Sequence, residues 1–263
     1  MKHAVWFFLL IAIIAMPCIA QEPPAKPEPK APEPKAAEAA TPEPLPTIDQ
    51  ILDKMIENLG GKAALEKITS REVSGSFEIP AFNVVGTLKA YAKAPNKNVS
   101  IADVPGFGIV QRGFDGTTAW EQEPTAGLRE VTGPELSARK RDSDLHADLH
   151  MKDLFKKLTV KGKEKVGDKE AYLVEATPAE GNPEKLYFDV KSGLLIRHDA
   201  ERESAQGSAL IETYLGDYKE VDGVKVPCTM RQVNPAFEMT IKITEIKHNV
   251  EIEDAKFAKP AAQ

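Results

Sequence analysis

The sequence predicts a β-rich α+β protein in which an antiparallel sheet curls around, or is capped by, a few helices. Three observations carry that prediction. A two-residue hydrophobic alternation runs through most of the chain beyond residue 70. Turn signals of the Asp-Gly and Ser-Gly kind recur between the alternating segments. No crossover long enough for parallel pairing separates consecutive strands, and helical periodicity is confined to two places.

The N-terminus comes first. Residues 1–20 carry Lys2 and His3, then an apolar run from Ala4 to Met16, then a small residue at Ala20. That is the order of a secretory signal peptide, with cleavage expected after Ala20 and an exported, periplasmic location. The apolar run is shorter than the roughly 20 residues that span a bilayer as a helix, so a retained anchor fits less well. Lipidation of Cys18 is a third reading, against which Ala15-Met16-Pro17 is a poor lipobox. Processing would leave Cys228 alone and take the formal charge from −6 to −7. One thiol forms no intramolecular disulfide, so stability must come from a core. Cys228 alternates with Val226 and Met230 and reads as a small buried strand residue. The mild acidic excess argues against nucleic acid as a partner.

Residues 21–46, "QEPPAKPEPKAPEPKAAEAATPEPLP", hold nine prolines and almost no large apolar side chain. Too little surface can be buried there to offset ordering entropy, so a disordered linker is expected, reaching up to ~80 Å at about 3.1 Å per residue. The folded domain is expected over 47–263.

Its opening, "TIDQILDKMIENLGG", sets Ile48, Ile51, Leu52, Met55, Ile56 and Leu59 at helical spacing and stops at Gly60-Gly61. A short helix over "KAALEKI" follows. The period then changes to two: in "REVSGSFEIP" Val73, Gly75, Phe77 and Ile79 share one face, and in "VVGTLKAYAK" Leu88, Ala90 and Ala92 do. "NVSIADV" and "GIVQRGF" continue the pattern. In "GFDGTTAW", Asp115-Gly116 reads as a two-residue hairpin between Phe114 and the strand carrying Trp120. A helical interruption is expected over about 133–156, opened by a capping box of Thr132 and Glu135 with Pro134 in its first turn. Leu145, Leu149, Met151, Leu154 and Phe155 supply its apolar contacts. Strands then resume, with turns at Gly167-Asp168, Ser192-Gly193 and Asp222-Gly223, through "FEMTIKITEIKHNV".

The chemistry-bearing signals are sparse, and no catalytic residue and no cofactor is assigned. His146 and His150 stand at i and i+4 with Asp153 nearby, a spacing that can chelate zinc. The residue after His146 is Ala, however, not the Glu of a metalloprotease helix, and no metal site is assigned. Asp142, Asp144, Glu251, Glu253 and Asp254 read as surface charge. His198 and His248 lie on strands and are expected on a polar face. There is no nucleophile elbow, P-loop or dinucleotide fingerprint.

The run "YFDVKSGLLIRHDAE", followed by "ALIETYLGDYKEVDGVKVPCTMR" and "ITEIKHNVEIEDAKFAKP", resembles the C-terminal half of the bacterial periplasmic lipoprotein-carrier superfamily, the Lol-type proteins of outer-membrane lipoprotein sorting. "GFDGTTAWEQEP" resembles that superfamily's N-terminal Asp-Gly and Trp hairpin. The similarity spans roughly 47–260. It implies an unclosed, curved antiparallel β-barrel of about eleven strands, capped by helices over an apolar interior that shelters acyl chains, a function needing no catalytic residue. The candidate lining residues are Phe77, Leu88, Ile101 and Trp120 from strands, with Met151, Leu154 and Phe155 from the helical interruption. Lipid or lipoprotein acyl chains are the expected partners, with envelope membrane proteins as a further class. Two other classes stay open: an interaction module of the same fold without lipid, and a hydrolase using His146 and His150.

Deleting residues 21–46 is expected to leave the melting temperature of the domain unchanged. A clear drop on thermal unfolding would show that the segment packs on the domain.

Overall fold

A computed structural model describes residues 44–204 and 207–261. The expected signal segment, and all but the last three residues of the Pro-rich segment, lie outside the described residues. Helix α1 (Ile48–Leu59) begins on a capping box that helical spacing alone does not announce: the Thr47 hydroxyl accepts from the Gln50 amide while the Gln50 side chain accepts from the Thr47 amide. It ends on Gly60, whose φ of 118° is the left-handed turn that glycine adopts without strain. The short α2 (Lys62–Leu65) comes next.

Six strands then run as a meander: β1 (Ser70–Ile79), β2 (Val84–Lys93), β3 (Lys97–Val104), β4 (Gly108–Phe114), β5 (Ala119–Glu123) and β6 (Gly127–Val131). Helices α3 (Gly133–Asp142) and α4 (Ala147–Leu154) interrupt them. A second meander comprises β7 (Phe155–Val166), β8 (Lys169–Pro178), β9 (Glu184–Asp189), β10 (Leu195–Ser204), β11 (Gly207–Val221), β12 (Val224–Val233) and β13 (Glu238–His248). The two join where β1 pairs antiparallel with β13, from Arg71 opposite His248 to Glu78 opposite Thr240. Among the described residues this makes one sheet of thirteen strands, open between β6 and β7. It is the curved, unclosed antiparallel barrel expected, with two more strands than expected.

Alternation gives the sheet two unlike faces. The inner face carries Phe77, Leu88, Ala102, Val110, Met230 and Ile241 in one buried cluster. A second inner cluster unites Val174, Leu186 and Phe188 with Ile51, Leu52 and Met55 of α1, Leu65 of α2 and Met151 of α4. The helices therefore cover the inner face, at the end of the sheet where β9 turns into β10: the turn glycine Gly193 packs against Lys54. Register shifts at Ser74/Gly75, Leu195/Arg197, Phe155/Lys157 and Val160/Gly162 supply local bends that help the sheet curl.

Two sequence expectations change. The Asp115 turn spans four residues, because the Asp115 carboxylate accepts from the amides of both Thr117 and Thr118 and so holds a wider loop. Asp189 does the same for Lys191 and Ser192, so the two aromatic-Asp steps are one device used twice. At α3 the expected Thr132 capping box does not form. Glu135 turns instead to the Arg129 guanidinium, and a charged donor outcompetes a backbone amide.

On the outer face Gly113 stands opposite Trp120, and a Cβ at Gly113 would lie 2.4 Å from the indole. Gly113→Ala is expected to cost about 1–3 kcal/mol by overpacking. Gly216→Ala, with nothing within 4 Å of the added atom, serves as the matched control. Chemical denaturation of the two variants should separate them.

Candidate functional site

The inner face is not uniformly apolar. Charged residues occupy inward positions in phase with core residues: Arg71 with Val73 and Phe77 on β1, Arg112 with Val110 and Phe114 on β4, and Glu121 with Ala119 on β5. Opposite them lie Glu184 of β9 and His198 and Arg202 of β10, all buried. Burial of such groups is tolerated only with partners, and the partners form two ionic clusters.

In the first cluster, Arg112 donates to Glu121 and, at 3.3 Å, to Glu123. Arg129 of β6 binds Glu121 and, at 2.8 Å, Glu135 at the start of α3. Burial would raise the Glu121 carboxyl, but Arg112 and Arg129 together hold it below its usual value. In the second cluster, Glu184 accepts from His198 Nε2 at 2.6 Å, from Arg202 at 2.9 Å, and from Arg141 at the end of α3. Arg202 also reaches Asp142 at 3.3 Å. Burial opposes the Glu184 charge, yet Arg202 and His198 beside it hold its carboxyl far below the ordinary carboxylate range.

Helix α3 thus bridges the two halves of the open sheet by charge, β6 at its start and β9–β10 at its end. None of its residues is buried. Two further links fasten the neighbouring chain: Asn98 of β3 donates to the Ser143 hydroxyl at 2.7 Å, and Lys152 of α4 pairs with Asp49 of α1. Arg71, fully enclosed, is pushed down to about 9 by burial, which the Asp148 carboxylate of α4 partly offsets. It remains a cation at neutral pH.

The seven candidate lining residues divide among three places. Phe77 and Leu88 belong to the inner cluster at one end of the sheet. Met151 and Phe155, with Leu154 packed beside them, belong to the inner cluster under the helices. These last three line a cavity of about 20 Å³ with Arg141, Asp142, Ala147, Glu184 and His198. Ile101 and Trp120 are on the outer face, where Trp120 packs with Val99, Ile252 and Phe257 and its Nε1 donates to the Phe257 carbonyl at 2.9 Å. Phe155 is the first residue of β7 rather than part of a helix. Its ring lies under the Arg141 guanidinium, 5.3 Å from the centroid.

His198 is not on a polar face: it is 2% exposed and points inward. The His248 side chain is likewise covered, binding Asp222 at 2.9 Å, and burial with the neighbouring Arg71 charge pushes it down to about 4. Asp142, expected as surface charge, is drawn in by Arg202. His146 Nε2 meets the Ile68 carbonyl at 3.1 Å and His150 Nδ1 meets Asp144 at 2.7 Å. The Arg-Glu-His clusters were missed in the sequence, where the available signal was charge at the inward phase of alternating strands.

No protein-family model and no curated protein matches the chain. Solved structures do match its shape. A DUF1329 family protein from Desulfovibrio piger superposes with a TM-score of 0.55 at 15% identity, covering 82% of this chain and 99% of that one. A LolA superfamily protein from Nitrosomonas europaea gives 0.54 at 12% identity, with 82% and 99% covered. A putative outer membrane lipoprotein-sorting protein domain from Vibrio parahaemolyticus gives 0.53 at 12% identity, with 80% and 97% covered. At these identities the likeness is one of fold, and the fold is the LolA type.

Because the folded Glu184 carboxyl is depressed below the unfolded value of about 4.3, its contribution is present above that pH and lost as pH falls through and below it. Glu184→Gln, which leaves Arg141, Arg202 and His198 around a neutral amide, is expected to cost about 3–5 kcal/mol at pH 7. The variant should also lose less stability than wild type between pH 5 and 3, about the unfolded carboxylate range, when both are unfolded in urea.

Proposed function

We propose that the chain is an exported, non-enzymatic carrier or binding protein that shelters lipid or lipoprotein acyl chains against the inner face of its half-barrel. The observation that carries this reading is the kind of cover the inner face has. Helix α3 crosses from β6 to β9 and β10, presents one large apolar residue to the sheet, Leu136 on Phe114, Ala119 and Val131, and is fastened by ion pairs at both ends. A cover of that kind separates from the sheet at the expense of its ion pairs and a single apolar contact. Beside it lie Met151 and Leu154 of α4 and Phe155 of β7, contiguous with the wider apolar cluster.

A cavity of about 20 Å³ has room for about one water. An acyl chain at that place therefore requires α3 and α4 to move outward. Burying about sixteen methylenes at about 0.8 kcal/mol each offers about 13 kcal/mol, which would be set against the rupture of the buried ion pairs that hold α3. The fold, shared with proteins named for the LolA superfamily and for lipoprotein sorting, supports the same reading. Envelope membrane proteins are the further partners that a carrier of this kind would meet.

The closeness of that packing favours a second reading, an envelope interaction module of the same fold with no lipid ligand. Native mass spectrometry of the chain purified from its own envelope separates the two. The carrier reading expects co-purified lipid mass and saturable binding of a fluorescent fatty acid. Arg129→Gln, which frees the start of α3 from β6, should accelerate uptake of that probe several-fold. Lipid-free protein with no saturable probe binding would leave the interaction module.

A further inference from the structure

Three hairpin turns at one rim of the sheet share a sequence: Pro80-Ala81-Phe82 between β1 and β2, Pro105-Gly106-Phe107 between β3 and β4, and Pro235-Ala236-Phe237 between β12 and β13. The strand order makes these turns neighbours, since β1 lies between β2 and β13, and the registers place all three at the end of the sheet away from the Gly193 turn. A Pro, a small residue and a Phe at three adjacent tips is more than a turn requires, because proline and the small residue suffice to reverse the chain.

The side chains are placed as a surface. Phe82 is 49% exposed and its ring meets that of Phe237 at 6.2 Å between centroids. Val85 and Ile109, just below on the outer side, are 63% and 51% exposed. Phe107 and Phe237 are half-buried and pack on the inner cluster of Phe77, Leu88, Val110 and Ile241. The apolar inner face therefore continues without a break to the rim and out onto its tips. The three turns contain no Lys, Arg, Asp or Glu. The charges next in sequence are Glu78, Asp103 and Glu238, all exposed, the last paired with Arg231 at 2.9 Å.

We propose that this Phe82–Phe107–Phe237 rim is a docking surface for a lipid bilayer with neutral headgroups, into which the three aromatic tips insert. Aromatic side chains are favoured at the boundary between acyl chains and headgroups. Acids flanking the tips without a basic cluster set the preference against anionic lipid, since interfacial attraction to such lipid comes from Lys and Arg. Continuity of the rim with the inner face gives the docked orientation a purpose, and in that respect the inference rests on the carrier reading: acyl chains would pass between bilayer and inner face along apolar surface, without crossing water.

The test uses the chain from Gln21 onward, as signal cleavage would leave it, and phosphatidylcholine vesicles with brominated acyl chains. Phe82→Trp should add fluorescence that the vesicles quench, over a wild-type background from Trp120, the one tryptophan beyond residue 20. In flotation, Phe82→Ser combined with Phe237→Ser should partition about tenfold more weakly than wild type, because two half-exposed rings are no longer withdrawn from water. Circular dichroism should confirm that the double variant is folded, as expected for changes at exposed tips. Unquenched fluorescence from Phe82→Trp, or equal flotation of the folded double variant and wild type, would overturn the assignment. So would stronger binding when anionic lipid is added, which would transfer the contact to a basic surface. Binding of a dispersed fatty-acid probe is read in parallel: its absence alongside quenching at position 82 would remove the carrier reading and leave the rim a membrane contact.

Discussion

The pairing of β1 with β13 is the constraint on which the architecture rests. Each meander is built from neighbours in sequence and can form hairpin by hairpin, but neither alone encloses anything. Joining them brings residues about 170 positions apart into one ladder and makes a single curved sheet with one inner face. The junction is crowded: a Cβ at Gly75 would lie 2.4 Å from the Lys242 carbonyl oxygen, so the strands approach there as only glycine permits. The register also sets Arg71 of β1 beside His248 of β13, which puts a buried cation near the middle of the thirteen strands.

Once the sheet exists, its helices are attached in two different ways. Helix α1 is held by apolar burial, through Ile51, Leu52, Met55 and Leu59. Helix α3 is held mainly by Glu135, Arg141 and Asp142 acting on charges of the sheet, with Leu136 as its apolar contact. Apolar burial is non-directional and lost gradually, whereas an ion pair is lost over a short displacement once water reaches it. The inner face thus has one helix packed into its core and another fastened across it, from β6 to β9 and β10, mainly by charge.

Much of this was legible in the sequence. Alternation over "REVSGSFEIP" and "VVGTLKAYAK" marked the strands and their apolar faces, and helical spacing within "TIDQILDKMIENLGG" marked α1 and its stop at Gly60. What alternation could not reveal was which side of each strand would face the helices: Trp120, expected to line the interior, packs on the outer side with Ile252 and Phe257. Local rules failed where a distant group offered a stronger partner, as when Arg129 drew Glu135 away from the start of α3. The ionic clusters were illegible because Arg112 and Glu121, or Glu184 and Arg202, look like ordinary surface charge until the sheet curls and encloses them.

An open sheet has two edges, and here they differ. β6 is five residues long, while β7 is twelve and, among the described residues, pairs with β8 alone. So long a free edge is a template onto which another chain can add a strand. The β7 sequence, "FKKLTVKGKEKV", contains five lysines, and a shift of pairing at Val160/Gly162 breaks its regularity. A second copy approaching in the same way would bring lysine rows together, so the edge repels its own kind. The sheet stays open along one side, and its lysines oppose growth by edge-to-edge addition there.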